Sequence, residues 1–418
     1  MKAAGERVIA ALDVGSSKVA AMITLLSPGG EARVLGTGQR ACRGVKRGYV
    51  ADMELVETAV RQAMDQAERN AKISVESAFV SFSAGGLDSE IASVDVDIGG
   101  HRIEQADIDM VLNEGRRSLQ PGARTVLHAQ PALYTIDGLQ GVMNPLGFHA
   151  DRLGVDIHVV TAETSPVRNL DLSIRQAHVG VDTIVAAPIA SGLACLAAEE
   201  RERGVALVEL GAGVTNVAVF ARGMLVGLAS IPMGADDITD DIASAFATGR
   251  DHAERLKCFY GSATTSPRDN HEMIEVPALN AEEGVDPGRA TKAQLISIIR
   301  QRLDLILGEI AIRLDELGFK GPGGRQLVLC GGGAELKGIA DFAQGVLGRS
   351  VRLGRPRGLV GVPEAQSTAA YTTLAGLSLF AASDMVDIRS KVDAVTTVSR
   401  PVGGPLVARL LQAFKANL

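Results

Sequence analysis

Arg7-Val8-Ile9-Ala10-Ala11-Leu12-Asp13-Val14 runs into Gly15-Ser16-Ser17-Lys18, and an apolar run resumes over 19–26. Apolar, partly β-branched residues bounded by a polar glycine turn predict a strand, a tight turn and a strand, with an acid at the hairpin tip. The pattern returns at mid-chain. Val205-Ala206-Leu207-Val208-Glu209-Leu210 passes through Gly211-Ala212-Gly213-Val214 into Thr215-Asn216-Val217-Ala218-Val219-Phe220. An acid, one residue and a glycine thus close a buried strand twice. Duplication of half the chain is the natural reading, giving an α/β fold of two similar domains that face each other.

Working outward, 52–71 has helical periodicity, with Met53, Val56, Ala59, Val60, Ala63, Met64 and Ala67 on one face. Residues 87–160 alternate strand patterns near 90–98, 124–136 and 155–160 with a helix near 104–119, as in a small α+β insertion. An apolar run at 181–187 precedes a helix predicted over 189–203 and closed by Gly204. Asp236, Asp237, Asp240 and Asp241 read as a helix N-terminus, where the dipole favours anions, with paired catalytic carboxylates the alternative. Residues 262–292 read as a long loop or mobile region. A helix follows over 292–317, striped by Leu295, Ile299, Leu303, Ile306, Ile310, Leu314 and Leu317. Residues 327–330 predict a strand feeding Gly331-Gly332-Gly333 and a helix to about 347, with another helix at roughly 367–381. Residues 383–404 lack periodicity and read as a linker.

The bulk numbers agree with a multi-domain globular chain: 418 residues, 46% hydrophobic, 22% charged and 47 glycines. With only 3% aromatic residues, the cores must be built from Val, Ile, Leu and Ala. A net charge of −7 argues against broad nucleic-acid binding, which needs basic surface to replace phosphate counterions. Cys42, Cys195, Cys258 and Cys330 are scattered and read as small buried hydrophobes in a reducing compartment. No apolar run is long enough to span a bilayer, and the first residues lack a signal-peptide pattern, so a protein kept inside the cell is expected.

Three glycine-rich turns follow three buried strands. Their backbone N–H groups can surround phosphate oxygens, and small side chains let a ligand approach. In the first, Ser16, Ser17 and Lys18 add hydroxyl and ammonium donors to Gly15, and Asp13 is placed to hold a hydrated magnesium ion. The second offers Gly211, Gly213 and Thr215, with Glu209 as a second metal-facing acid. The third, Gly331, Gly332 and Gly333, lacks Lys or Ser and suits a base or sugar. A dinucleotide-binding dehydrogenase fold is disfavoured, because the N-terminal loop lacks the G-x-G-x-x-G spacing and feeds a strand.

The three loops in this order resemble the phosphate-1, phosphate-2 and adenosine motifs of the actin, heat-shock chaperone and sugar-kinase superfamily. Within it, several stretches are similar to the FtsA family of actin-like bacterial division proteins: His128-Ala-Gln-Pro-Ala-Leu-Tyr-Thr-Ile-Asp137-Gly, Asn144-Pro-Leu-Gly147, Ala190-Ser-Gly-Leu-Ala-Cys-Leu, Gly234-Ala-Asp-Asp-Ile-Thr-Asp-Asp-Ile, Ala253-Glu-Arg-Leu-Lys257 and Leu329-Cys-Gly-Gly-Gly-Ala-Glu-Leu-Lys-Gly338. The resemblance implies an actin-like, duplicated ribonuclease H-like fold with ATP and Mg2+ in the interdomain cleft. Subdomain 1A would comprise 1–86, 163–195 and 367–382; 1C would be 87–162. Subdomain 2A would comprise 196–235 and 320–366, and 2B would be 236–319. Ala212, Asn216 and Glu335 join the nucleotide contacts, while Glu254 and Lys257, spaced i, i+3, approach ribose and adenine or form a plain ion pair.

The implied activity is an ATP-binding scaffold that polymerises on the cytoplasmic membrane face at the division septum. There it tethers the tubulin-like GTPase FtsZ through 2B and meets other division proteins through 1C. A pilus-assembly-type scaffold and a small-molecule kinase of the same superfamily are the alternatives. The second loop departs from the family's Asp-x-Gly-Gly-Gly-Thr-Thr: Glu209, Ala212, Val214 and Asn216 replace the usual residues. Nucleotide binding survives these changes, whereas efficient hydrolysis does not follow.

After Gly403-Gly404-Pro405 the tail reads Leu-Val-Ala-Arg-Leu-Leu-Gln-Ala-Phe-Lys-Ala-Asn-Leu. At about 100° per residue, Leu406, Val407, Leu410, Leu411, Phe414 and Leu418 share an arc of roughly 140°. Lys415 flanks that arc and Arg409 lies opposite. A helix over 405–418 would be about 21 Å long, suited to lying in a membrane interface of anionic lipids. Two basic residues make a single copy a weak binder, so self-association supplies avidity.

Overall fold

The computed structural model describes residues 6–28, 30–84, 86–119, 122–279, 288–320, 326–383 and 387–391. Of the linker predicted over 383–404, residues 388–391 form a short helical turn, whereas 384–386 and 392–404 lie outside the described residues, as does the membrane helix, with Leu406, Val407, Arg409, Leu410, Leu411, Phe414 and Lys415.

Both predicted hairpins form. Arg7–Val14 pairs antiparallel with Lys18–Leu26, and Val205–Leu210 pairs antiparallel with Thr215–Ala221. Each seeds a sheet of one topology. In the first lobe the strand order is Gly180–Ala186, Ser77–Phe82, Arg7–Val14, Lys18–Leu26, Ala32–Ala41, with the short Leu359–Val360 added at the edge. In the second it is Val351–Leu353, Gln326–Cys330, Val205–Leu210, Thr215–Ala221, Met224–Ile231. In each lobe the two strands before the hairpin run parallel to it. The duplication read from two acid-x-glycine turns is therefore a duplication of a whole sheet.

Helix Met53–Ala71 starts where the Asp52 side chain accepts from the Leu55 amide. It buries the predicted stripe except Met53 against the first sheet. Helix Lys292–Glu316 buries Leu295, Ile299, Leu303, Ile306, Ile310 and Leu314 in the second core. Helices Ala187–Cys195 and Thr372–Ala382 cross between the lobes. They touch at Gly376, where a Cβ would stand 1.8 Å from the Ala190 carbonyl oxygen.

The insertion carries strands Asp88–Asp97, Arg124–Ile136, Leu139–Val142 and Arg152–Glu163 and helix Gln105–Ser118, around its own core. Its sheet continues the second lobe's through one residue pair, Ala229 with Asp88, and through Ser89 Oγ, which accepts from the Leu228 amide at 2.9 Å. The chain returns to this domain after helix Thr372–Ala382. Ile388 is buried in the inserted core, and its carbonyl accepts from Arg116 Nε at 2.5 Å. Asp387 faces His128 Nδ1 at 3.6 Å and Arg389 Nε at 2.9 Å.

Three local expectations need correction. The single helix over 189–203 is two, Ala187–Cys195 and Ala198–Arg203, because Glu200 caps the Ala197 amide at 2.8 Å and restarts the chain there. The segment 262–292 is not one long loop: a turn at Pro267–Asn270 and a hairpin of Met273–Val276 with Gly288–Thr291 occupy its described parts. Residues 369–371 are a separate turn ahead of helix Thr372–Ala382, since Ala369 accepts from Gly331 N and Ala370 donates to Glu335.

Candidate functional site

The two hairpin tips and the third glycine turn open into one cavity of about 500 Å³ between the lobes, within the usual range for a small-molecule or cofactor site. The tips are copies. Gly15 N–H donates to Lys18 O at 3.0 Å, and Gly211 N–H donates to Val214 O at 3.0 Å. Among the described residues the amides of Ser16, Ser17, Ala212 and Gly213 make no hydrogen bond to protein. They leave two small nests of donors, the arrangement that suits an anion. Helix Ala235–Ala245 begins on the second tip, its first amides donating to the carbonyls of Gly211 and Ala212.

In the third turn, Gly331 has φ of +86°, and a Cβ on Gly333 would meet Leu210 at 2.4 Å. Those two glycines serve packing. Gly332 faces open space and leaves room for a flat group. Glu335 Oε1 accepts from Ala370 N at 3.2 Å and borders the same cavity. Phe259, highly exposed, stands on its rim beside Gly261, Leu336 and Lys337.

Asp13 is held by Ser81, whose hydroxyl donates to Oδ1 at 2.6 Å. Burial pushes its carboxyl above the usual range, against that bond and the Lys18 charge. Oδ2 carries no hydrogen bond among the described residues and can take a hydrated cation. Lys18 lies over the Tyr371 ring at 3.5 Å. Burial pulls its ammonium pKa down, against the charges of Asp13 and Glu335.

Glu209 borders the cavity but is spent. Its Oε1 meets the hydroxyls of Ser191, at 3.0 Å, and Thr373, and its Oε2 accepts from Asn216 Nδ2 at 2.9 Å. Burial pushes its carboxyl up, with the Asp13 charge adding to that and the three partners opposing it. A cation there would have to break this network, so of the two acids read as metal-facing only Asp13 has an oxygen to give.

Gly15, Ser16, Ser17, Lys18, Gly211, Ala212, Gly213, Glu254, Lys257, Gly331, Gly332, Gly333 and Glu335 all border the cavity. Thr215 and Asn216 do not. They belong to the strand, one step past the tip, where Thr215 Oγ1 donates to Met233 O and Asn216 bonds Ser83, Ser230 and Glu209. Lys257 borders the cavity with its ammonium already paired. Its ammonium donates to Ala235 O, Thr239 Oγ1 and Glu254 Oε2 at 2.9, 2.7 and 2.6 Å. Burial opposes ionisation of Glu254, yet Lys257, Thr239 and Cys258 hold its carboxyl below the usual range. The pair therefore bolts helix Arg250–Tyr260 to helix Ala235–Ala245. Ser81, Ser83, Phe259 and Thr373 were missed by reading the sequence, because nothing local marks them. Cys258, expected buried, is exposed beside the cavity.

A family model described as "Cell division protein FtsA" matches residues 206–376, and one described as "SHS2 domain inserted in FTSA" matches residues 85–161. The cell division protein FtsA of Rhizobium meliloti (strain 1021) is 38% identical over 421 residues, covering 98% of this chain and 95% of that one. The chain belongs to the FtsA family of cell division proteins. The FtsA of Escherichia coli (strain K12) is more distant, at 29% identity over 403 residues and 96% of each chain. Among solved structures, a PilM-PilN type IV pilus biogenesis complex matches with a TM-score of 0.63 at 16% identity, covering 90% of this chain and 98% of that one. MreB5 of Spiroplasma citri bound to ADP matches at 0.50 and 13%, covering 90% and 96%. Both likenesses concern the fold, and the fold of this FtsA-family chain is actin-like with an SHS2 insertion.

Proposed function

We propose that this FtsA-family protein is an ATP-binding scaffold of cell division that polymerises on the cytoplasmic membrane face and tethers FtsZ filaments at the division site. The observation that carries the nucleotide reading is the pair of copied hairpin tips, whose four free amides face one cavity between duplicated lobes. A triphosphate would lie on those amides with Lys18 nearby. Asp13 Oδ2 would bind magnesium, which screens the phosphate charge when bound, through water. The base would enter the third turn, between Gly332 and the Phe259 rim. That an actin-like neighbour was solved with ADP supports this reading.

Hydrolysis is at most weak. Catalysis at a γ-phosphate needs a group to orient or deprotonate water, and the one acid of the second loop is committed to Ser191, Thr373 and Asn216. The same commitment disfavours a small-molecule kinase. Subdomain 2B, over 236–319, would receive FtsZ, and the inserted domain would meet other division proteins. The tail over 405–418 would lie in the membrane interface, with Leu406, Val407, Leu410, Leu411 and Phe414 inward and Arg409 and Lys415 toward anionic headgroups. No helix among the described residues is long and apolar enough to cross a membrane.

Co-sedimentation with anionic liposomes tests the whole reading, using full-length protein and a truncation lacking 405–418, each with and without ATP and FtsZ. The full-length chain should pellet with lipid, more so with ATP, and carry FtsZ down; the truncation should stay in solution. Equal lipid binding by the truncation would reject the anchor, and FtsZ left in the supernatant would reject the tether.

A further inference from the structure

We infer that Arg47 is a positioning residue that latches the two lobes across the phosphate end of the cleft and sets how long a nucleotide stays bound. The inference rests on the nucleotide-binding reading and adds its regulation. Arg47 occupies the turn between two short strands of the first lobe, Val45–Lys46 and Tyr49–Val50. Its φ is +51°, a region that residues other than glycine enter at a cost and keep only when their surroundings hold them there. What holds Arg47 lies on the other lobe. Its two terminal nitrogens donate to Asp237 Oδ1 and Oδ2, both at 2.6 Å, and Nη1 also approaches the Gly213 carbonyl at 3.4 Å.

The latch sits where the two phosphate tips meet. A Cβ on Gly213 would stand 2.8 Å from Ser16 Oγ and 3.1 Å from Arg47 N, so the second tip is pressed against the first lobe there. Gly48, the next residue, donates to Ser16 Oγ at 3.4 Å and borders the cavity. Moving Arg47 therefore moves the contact between the tips.

Position decides which interdomain contact yields first. The Glu209 network at the floor is buried, with Ser191 and Asn216 almost inaccessible. The Arg47 and Asp237 side chains are 42% and 10% exposed, so water and salt reach the guanidinium. Burial disfavours ionisation of Asp237, but the Arg47 fork and the Gly234 amide hold its carboxyl below the usual range, so the pair stays charged at neutral pH. A second cross-lobe pair, Arg43 with Asp251 at 3.4 Å, is 78% and 80% exposed and adds little. Opening then pivots on the buried floor and parts at Arg47.

Asp237 has a second role: its Oδ2 accepts from Gly234 N at 2.8 Å and caps helix Ala235–Ala245. Substitution of Arg47 is thus the cleaner perturbation. Full-length protein is loaded with a fluorescent ATP analogue and magnesium and chased with excess unlabelled ATP. R47A should release the analogue about tenfold faster, the scale of one bidentate charge-assisted pair, and R47K should fall between. Raising salt to about 0.5 M should speed release from the unsubstituted protein but hardly from R47A. Equal release rates with equal salt dependence would overturn the latch. Hydrogen exchange without nucleotide separates this from failure of the cleft reading. Faster exchange at the bonded amides of Ala235, Asp236 and Asp237 in R47A supports the latch even if no nucleotide binds, and unchanged exchange there refutes it.

Discussion

Replacing His158 by leucine should make the inserted domain more stable and less sensitive to acid. His158 lies in strand Arg152–Glu163 between Ile91 and Gln130, and is only 3% exposed. Neither ring nitrogen finds a partner among the described residues. Burial, with a smaller push from His128, lowers its pKa from 6.5 to about 4. The unfolded chain therefore binds a proton that the folded chain refuses, and stability falls as pH drops from about 6.5 toward about 4. The full penalty is about 3 kcal/mol, of which about 2 kcal/mol is felt by about pH 5. Leaving a buried imidazole unpaired costs a further 1–3 kcal/mol or so at any pH, and leucine, of comparable bulk, removes both. Because the chain has several domains, the assay should be local: hydrogen exchange of strands Asp88–Asp97 and Arg124–Ile136 at about pH 7 and about pH 5, corrected for intrinsic rates. Protection of the parent should fall between the two conditions by about 2 kcal/mol more than that of H158L. If both proteins lose protection equally, His158 does not titrate as its burial demands and the reasoning fails. Some acid sensitivity should remain in H158L, since burial also keeps His128 neutral.

Ile388→Ala should free the returning segment from the inserted core, at a local cost of about 2–4 kcal/mol; limited proteolysis within 383–391 should quicken several-fold, and an unchanged cleavage rate would show that Ile388 does not dock there. Asp13→Asn keeps an acceptor for Ser81 but removes the charge that would hold magnesium. Affinity for ATP should fall about tenfold with magnesium and change little in a chelator, as read by fluorescence titration; an equal loss in both conditions would mean Asp13 acts without a metal.

Much of the fold was legible because the signal repeats. Two acid-x-glycine tips at the ends of apolar strands predicted the hairpins, and the duplicated sheets follow from them. The helical stripes of 52–71 and 292–317 were equally plain, since their apolar residues face one core. Less was legible where a tertiary partner decides. Glu200 splits the helix predicted over 189–203 by capping Ala197 and binding Arg352, from a strand far along the chain. In the site, the loop glycines were readable from turn chemistry, whereas Thr215 and Asn216 were misplaced because the turn ends at Val214 and both belong to the strand that follows. Both lie beyond the tip, where Thr215 meets Met233 and Asn216 meets Glu209, Ser230 and, across the lobes, Ser83. Lys257 looked like a ligand because its spacing from Glu254 cannot show that Ala235 and Thr239 take the other two protons.

The second phosphate loop ties these strands together. As sequence, Glu209 and Asn216 are departures from the family pattern that weaken the case for hydrolysis. As structure, they are one device. A glutamate is one methylene longer than aspartate, and here that length carries the carboxyl to Ser191 and Thr373, on the two helices that cross between the lobes. Asn216 holds the other oxygen and reaches Ser83 of the first lobe with the same amide. Shortening the acid would pull it off the hydroxyls, and removing Asn216 would leave a buried carboxylate oxygen unpaired, a loss of about 1–3 kcal/mol. The position thus links the lobes instead of facing a metal. On the proposed reading, a cleft whose floor is fixed in this way would favour holding a nucleotide between the lobes over turning it over, which is the property the proposed scaffold would need.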